Sequence, residues 1–283
     1  MGKLALSQSH TLIAARSRVP GWRRAAAGLT LAILLLVLSE TFTHSSGLTA
    51  VIVLLAATIS SIAGFAFSPL AGALLFHVSR DGIEAIQIML VASIALQAYS
   101  AWMLRSSIAI KDLWPYVVGG LATVPLGVCL LLHTPMWLHT SALGTFLCLY
   151  GSYMLLRPTW RLTSNHVAGQ VAVGALGGIT GATAAFPGAF VTIWCGWHGW
   201  DKDRQRGVYQ PYILIMQLAV LACLGVITPH ATFRPEFLMY ALPSVLGAWC
   251  GLRLYSRLAP AQFNRWVCVM LLLSGILLVL KGS

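Results

Sequence analysis

Two stretches decide how this chain folds: Ser61-Ile-Ala-Gly-Phe-Ala-Phe-Ser-Pro69 and Gly177-Gly-Ile-Thr-Gly-Ala-Thr-Ala-Ala-Phe-Pro187. They interrupt the apolar segments 46–78 and 166–197, each of which is much longer than the roughly 20 residues of one membrane-spanning helix. Glycine loosens a helix, and proline ends one helix or begins the next. Each segment is therefore predicted to contain two half-helices with an unwound middle, the second half starting at Pro69 or at Pro187.

The chain as a whole is too apolar for a water-soluble protein. Of its 283 residues 58% are hydrophobic and 9% are charged, and the mean hydropathy is +0.81. A soluble domain carries about 25% charged residues. Lipid must therefore surround most of the surface, and the composition predicts an all-α polytopic membrane protein.

The formal net charge of +11 does not indicate nucleic-acid binding, because the basic residues lie between apolar runs rather than in a stripe. Such residues typically hold loops on the cytoplasmic side. The six cysteines lie in or next to apolar segments without the spacing of a metal site or a redox pair. No metal and no cofactor is expected, and the expected partners are membrane lipid and a small anionic substrate. A homo-oligomer is compatible with the sequence.

The order of elements repeats along the chain. An offset of 124 residues aligns 112–157 with 236–281, and the two broken segments precede these spans in the same order. We interpret residues 46–157 and 158–283 as two transporter repeats, each with one broken segment and three spans. Residues 1–45 would form a basic cytoplasmic N-terminus and an extra transmembrane helix at 25–43, with a cleaved signal peptide as the alternative.

The distribution of charge favours broken segments that enter and leave the membrane on the same side. With such re-entrant hairpins, only Arg80, Arg234 and Lys281 of the 18 Lys and Arg residues lie outside the cytoplasm. If each broken segment crossed once, six would lie outside, against the positive-inside rule. Because a hairpin leaves three crossings per repeat, consecutive repeats must have opposite orientation. The predicted architecture is a pair of inverted repeats, in the inner (plasma) membrane with a cytoplasmic N-terminus.

The inventory of chemically reactive residues does not suggest an enzyme. The seven acidic residues lie at or near the ends of apolar segments. The chain has no phosphate-binding glycine loop, no zinc-binding histidine pair and no nucleophile elbow. No catalytic residue is predicted.

The unwound middles are the strongest functional signal, because irregular backbone inside a membrane survives only within protein or beside a wet cavity. Helices that begin at the breaks would direct free N–H groups toward a bound anion. Glutamines on the following spans would donate amide hydrogen bonds, or would only join helices. The predicted substrate-binding residues are Gly64, Ser68, Pro69, Leu70, Gln87, Gln97, Gly181, Thr183, Phe186, Pro187, Gly188, Gln210 and Gln217.

The pattern of a glycine-containing break that ends in proline, followed by three spans and then repeated, resembles the sulfite exporter TauE/SafE family of membrane permeases. The resemblance covers about residues 46–281 and is carried by Ser61–Pro69 and Gly174–Pro187 with the helices that follow them. It implies movement of small anions such as sulfite or sulfoacetate across the inner membrane. The chain departs from the family pattern in having fewer glycines before each proline, with the bulkier Phe67 and Phe186 at the breaks.

Together these observations predict a secondary transporter of a small anion that works by alternating access. Two alternatives stay open at this level. An anion channel would use the same broken helices without alternating access, and a membrane scaffold or assembly protein would need neither break.

Overall fold

The computed structural model describes residues 44–78, 82–156, 166–227, 235–255 and 260–282. The predicted extra helix at 25–43 and the cytoplasmic N-terminus lie outside these ranges. The described residues form ten α-helices and two short 3-10 helices, and they contain no strand. The helices are α1 His44–Ala63, α2 Phe67–Val78, α3 Gly82–Met103, α4 Ile110–His133, α5 Met136–Leu156, α6 Val167–Ala184, α7 Gly188–Trp197, α8 Lys202–Ile227, α9 Ala241–Tyr255 and α10 Pro260–Gly282.

The prediction of a polytopic helical membrane protein is confirmed. Five of the described helical segments are long and apolar enough to cross a membrane. They are Glu84–Met103, Ile110–His133, Val167–Ala184, Asp203–Ile227 and Pro235–Leu254. Large apolar side chains such as Leu149, Leu156 and Leu242 remain exposed on the helix surfaces, which suits a protein whose outer surface meets lipid.

Both long apolar segments are broken, but the two arms of each are unequal. The arms before the breaks, α1 and α6, have 20 and 18 residues, whereas α2 and α7 have 12 and 10. At 1.5 Å per residue, α2 and α7 are only about 18 and 15 Å long, roughly half the hydrocarbon thickness. The prediction of two half-helices is therefore correct only for the second arm of each segment.

The two repeats pack against each other in a reciprocal pattern. Helix α1 packs on α9 and its counterpart α6 packs on α4, while α3 and α8 contact each other. Close packing depends on glycine: a Cβ atom at Gly251 would lie 2.3 Å from the carbonyl oxygen of Thr58 in α1. One at Gly174 would lie 2.1 Å from the carbonyl oxygen of Tyr116 in α4. Small residues of this kind let membrane helices approach closely.

The direction of α5 relative to α10 agrees with the predicted inversion of the repeats. Gly144 lies against Val279, whereas Gly151, seven residues later, lies against Cys268. The two helices therefore run antiparallel although they occupy equivalent places in their repeats. If each broken segment crossed the membrane once, α5 and α10 would run parallel, so their opposite direction agrees with the hairpins. The repeat boundaries at 46–157 and 158–283 stay predictions.

Helix α8 begins at a capped end. The carboxylate of Asp201 accepts hydrogen bonds from the backbone N–H groups of Asp203 and Arg204, each at 3.0 Å. This is the usual way in which an N-cap residue satisfies the first amides of a helix. The hydrogen bond from Arg204 is the main cause of the lowered pKa of Asp201. The cap fixes where α8 starts, and hence which of its basic side chains face the interior.

Candidate functional site

At the first break the chain turns at Gly64 and starts a new helix three residues later. Gly64 has a φ of +96° and donates its N–H to the carbonyl of Ser60. Helix α2 begins at Phe67, so the prediction that it begins at Pro69 is wrong. Proline lies instead within the first turn, where its missing N–H costs no hydrogen bond.

This start leaves fewer free amides than expected. The N–H of Leu70 donates to the carbonyl of Ala66, the residue before the helix, at 3.3 Å, and Pro69 has no N–H to offer. That amide is therefore already used in this structure, and the role of Leu70 in substrate binding stays a prediction. The buried Ser68 is 3% exposed and lies in the same first turn.

The second break is built differently. Ala185 has a φ of +52°, and its N–H and that of Phe186 both donate to the carbonyl of Thr180, so that α6 ends by closing on itself. Pro187 then occupies the capping position, and α7 begins at Gly188 rather than at the proline.

The other predicted residues at this break contact residues of the same broken segment. Gly181 lies against Pro187, because a Cβ atom at Gly181 would lie 2.9 Å from the proline ring. The hydroxyl of Thr183 donates to the carbonyl of Ile179 in its own helix at 2.9 Å. The amide of Phe186 is also used within the break. The role of Phe186 in substrate binding stays a prediction, and Gly188 is the first residue at the amide end of α7.

The structure brings the two breaks together. The ring of Phe65 in the first break stacks on that of Phe186 in the second, with centroids 6.4 Å apart. Tyr150 of α5 and Tyr209 of α8 meet the ring of Phe65 edge to face, at 5.8 and 6.3 Å. A Cβ atom at Gly188 would lie 3.7 Å from that of Phe65. Aromatic rings, rather than open space, therefore fill the junction.

Three of the four predicted glutamines are buried. Gln97 of α3 and Gln210 and Gln217 of α8 are each 1% exposed, whereas Gln87 is only half-buried. The Nε2 of Gln217 donates to the Oγ of Ser93 at 2.6 Å, which joins α8 to α3.

Several amide atoms of these glutamines have no hydrogen-bond partner among the described residues. They are Oε1 of Gln97 and Gln217 and both Oε1 and Nε2 of Gln210. A buried polar atom without a partner costs about 1–3 kcal/mol. These side chains therefore suit a ligand or ordered water better than a dry helix contact.

Sequence reasoning missed Arg206, which was assigned to a cytoplasmic loop by its place among other basic residues. The structure places it inside α8 at 3% exposed. Its Nη2 donates to the carbonyl oxygens of Ile62 and Ser61, at 2.6 and 3.4 Å, at the end of α1. A buried charge in a membrane protein usually marks function. The available signal was its spacing four residues before Gln210, which places both on one face of a helix.

The neighbouring Arg204 points the other way. Its Nη2 lies 2.8 Å from the Oδ2 of Asp112, and its guanidinium stacks over the ring of Trp200 at 4.1 Å. The side chains of this ion pair are 45% and 24% exposed. The pair joins α4 of one repeat to α8 of the other at the surface, so two arginines two residues apart have distinct surroundings.

Within the described ranges no group of three or more His, Cys, Asp or Glu residues could hold a metal ion. The candidate site is a buried junction of the two helix breaks, filled by aromatic rings, with the guanidinium of Arg206 on the first break.

Comparison with known families identifies the family of this chain. A family model described as sulfite exporter TauE/SafE matches residues 49–278, a span that contains both breaks and the glutamines. No curated protein and no solved structure matches the chain.

Proposed function

The chain belongs to the sulfite exporter TauE/SafE family of membrane permeases, and on that premise we propose that it is a secondary transporter of a small anion. A sulfur oxyanion or an organosulfur anion is the substrate class that the family name suggests. The proposed location is the inner membrane, with the N-terminus in the cytoplasm, and the proposed role is transport rather than catalysis.

The meeting of the two breaks carries this proposal. Backbone that leaves the helical conformation inside a bilayer is tolerated where it lines a site. Here α2 and α7 start at Phe67 and Gly188, each two residues after one of the stacked rings of Phe65 and Phe186. Helix amide ends carry partial positive charge and attract anions.

The inverted repeats support alternating access over a fixed channel. Antiparallel packing of α5 and α10 gives the molecule two halves of opposite orientation. A site at the junction of such halves can open to either side when one half rocks against the other. The rings of Phe65, Tyr150 and Phe186 fill the junction, and they would have to separate for an anion to pass.

The test is a flux screen of purified protein in proteoliposomes with sulfite, thiosulfate, methanesulfonate and acetate. The proposal expects saturable uptake of at least one anion and accelerated exchange when the same anion is loaded inside (counterflow). Flux that does not saturate and shows no counterflow would identify a channel. Indifference to every anion would contradict transport and favour a scaffold role.

A matched pair of serine variants tests whether anion flux depends on the first break. Ser68 and Ser274 are both buried, at 3% and 8% exposed, but Ser68 lies in the first turn after a break and Ser274 lies inside α10. The Ser68→Ala variant is expected to transport less than wild type, and Ser274→Ala is expected to transport normally. Equal flux in the two variants would count against a substrate site at the first break.

A further inference from the structure

Each break places two helix ends of opposite polarity next to each other. The last carbonyls of the first helix carry about −0.5 charge, and the first amides of the second carry about +0.5. At the first break only residues 64–66 separate the carbonyl end of α1 from the amide end of α2. The two partial charges oppose each other, so a further positive group at the carbonyl end would strengthen the attraction of a break for an anion.

The two breaks deal with their carbonyl ends in different ways. At the second break, backbone N–H groups of Ala185 and Phe186 close the end of α6 onto the carbonyl of Thr180. At the first break, the carbonyls of Ser61 and Ile62 accept from the guanidinium of Arg206. A guanidinium carries one full permanent charge, about twice the partial charge of the helix end. Among the described residues, the first break therefore has a guanidinium on its carbonyl end, and the second break has backbone N–H groups there instead.

Gln210 lies at the right level to share a ligand with Arg206. Helix α8 touches the first break through Arg206 and through Tyr209, whose hydroxyl lies against Gly64. It touches the second break through Ile213, which lies against Gly188. Gln210 lies between these contacts, one turn after Arg206 and on the same face of the helix.

The amide of Gln210 lacks the partners that a buried amide needs. It is 1% exposed, and neither its Nε2 nor its Oε1 has a hydrogen-bond partner in the part of the chain that the structure describes. Since an unsatisfied buried amide is costly, its place between the breaks indicates a ligand with hydrogen-bonding oxygens.

We propose that Arg206 and Gln210 bind the head group of a singly charged oxyanion at the first break. This inference rests on the proposed transport function and assigns its substrate a charge class. One guanidinium compensates one negative charge, whereas a dianion would bring a second charge into a medium where uncompensated charge is costly. Sulfonates and carboxylates fit this requirement, and sulfate at neutral pH does not.

An arginine that only capped α1 would make the same two hydrogen bonds, so the experiment must separate binding from folding. Sulfite flux into proteoliposomes is measured for wild type, Arg206→Gln, Arg206→Lys, Gln210→Leu and the control Arg204→Gln. Methanesulfonate and sulfate serve as monoanionic and dianionic competitors. Thermal unfolding of each variant in detergent is recorded alongside.

Methanesulfonate is expected to inhibit wild type at lower concentration than sulfate. A lost hydrogen bond to a charged group corresponds to about a 10- to 100-fold weaker affinity, so Arg206→Gln should raise the KM for sulfite by that factor. Arg206→Lys keeps the charge, so its KM for sulfite should lie between those of wild type and Arg206→Gln. Gln210→Leu should raise the KM without removing a charge. Arg204→Gln should have the KM of wild type.

The proposal is overturned if Arg206→Gln lowers thermal stability but leaves the KM of the folded protein unchanged, because that pattern is that of a cap alone. It is also overturned if sulfate competes better than methanesulfonate. If Arg206→Gln does not fold, the proposal is overturned by an unchanged KM for sulfite in both Arg206→Lys and Gln210→Leu. Wild type that moves no anion would instead refute the proposed function itself.

Discussion

Replacing Gly64 by alanine tests the geometry of the first break through one methyl group. Gly64 has a φ of +96°, a conformation that side chains with a Cβ atom rarely adopt. A Cβ atom there would lie 2.2 Å from the hydroxyl oxygen of Tyr209 and 3.0 Å from its Cζ. The substitution therefore combines backbone strain with a steric overlap, and both penalties are local to the break.

The magnitude follows from these two penalties. A left-handed conformation costs a residue with a Cβ atom about 1–2 kcal/mol, and forcing an extra carbon into a packed interior costs about 1–3 kcal/mol. We expect Gly64→Ala to lower the free energy of unfolding by about 2–5 kcal/mol. Transport should fall with it, because Tyr209 must move and its ring packs on Phe65 at the junction.

The assay is unfolding of the purified protein in detergent micelles, with the free energy measured by steric trapping. Gly225→Ala is the control, since no atom lies within 4 Å of its added Cβ and the residue is inside a helix. That control should be neutral or stabilising by about 0.5–1 kcal/mol. In the background of Gly64→Ala, Tyr209→Phe should recover part of the loss by removing the overlapping oxygen, whereas the backbone strain remains. Equal stability of Gly64→Ala and Gly225→Ala would refute the described turn.

Three further substitutions test the packing around the site. Gly251→Ala should destabilise by about 1–3 kcal/mol, because its Cβ would overlap a carbonyl oxygen of α1; thermal denaturation that matches wild type would contradict the close contact of α1 and α9. Asp112→Asn should cost at most about 1 kcal/mol, since its ion pair with Arg204 is partly exposed, and a larger loss in the same assay would mean that the pair is structural. Gln217→Met should reduce sulfite flux more than Ser93→Ala does, because only Gln217 has an amide oxygen without a partner among the described residues; equal loss of flux and stability in both variants would identify a helix contact only.

The breaks and the repeat could be read from the sequence because their causes are local. Proline and glycine within a long apolar run limit where a helix can continue, and the order of such runs is visible without coordinates. The first residue of the helix after each break could not be predicted, because proline is tolerated at several positions around the start of a helix. Thus α2 begins at Phe67, two residues before Pro69, whereas α7 begins one residue after Pro187.

The charge of the site could not be predicted, because it depends on contacts between residues far apart in sequence. Arg206 lies 144 residues from Ile62, whose carbonyl it reaches. In the sequence it stands among Lys202 and Arg204, where a membrane protein usually places loop charges. Only the packing of α8 against the end of α1 separates the buried Arg206 from the exposed Arg204. An arginine near a helix start can therefore be assigned to a cytoplasmic loop only when the contacts of its side chain are known.

The aromatic filling of the junction was anticipated only in part. The sequence places the bulky Phe186 at the second break, and its ring stacks on that of Phe65. The contributions of Tyr150 and Tyr209 come from α5 and α8, and no pattern along the chain connects those helices to the breaks. This is the part of the site that depends on tertiary packing alone.

The most direct test of the account is the position of a bound anion. Selenite is a heavy-atom analogue of sulfite, so crystals grown with it would show its selenium in an anomalous difference map. One peak is expected at the first break, within hydrogen-bonding distance of the side chains of Arg206 and Gln210. A peak away from both breaks, or density in which α1 and α2 run on as one continuous helix, would contradict it.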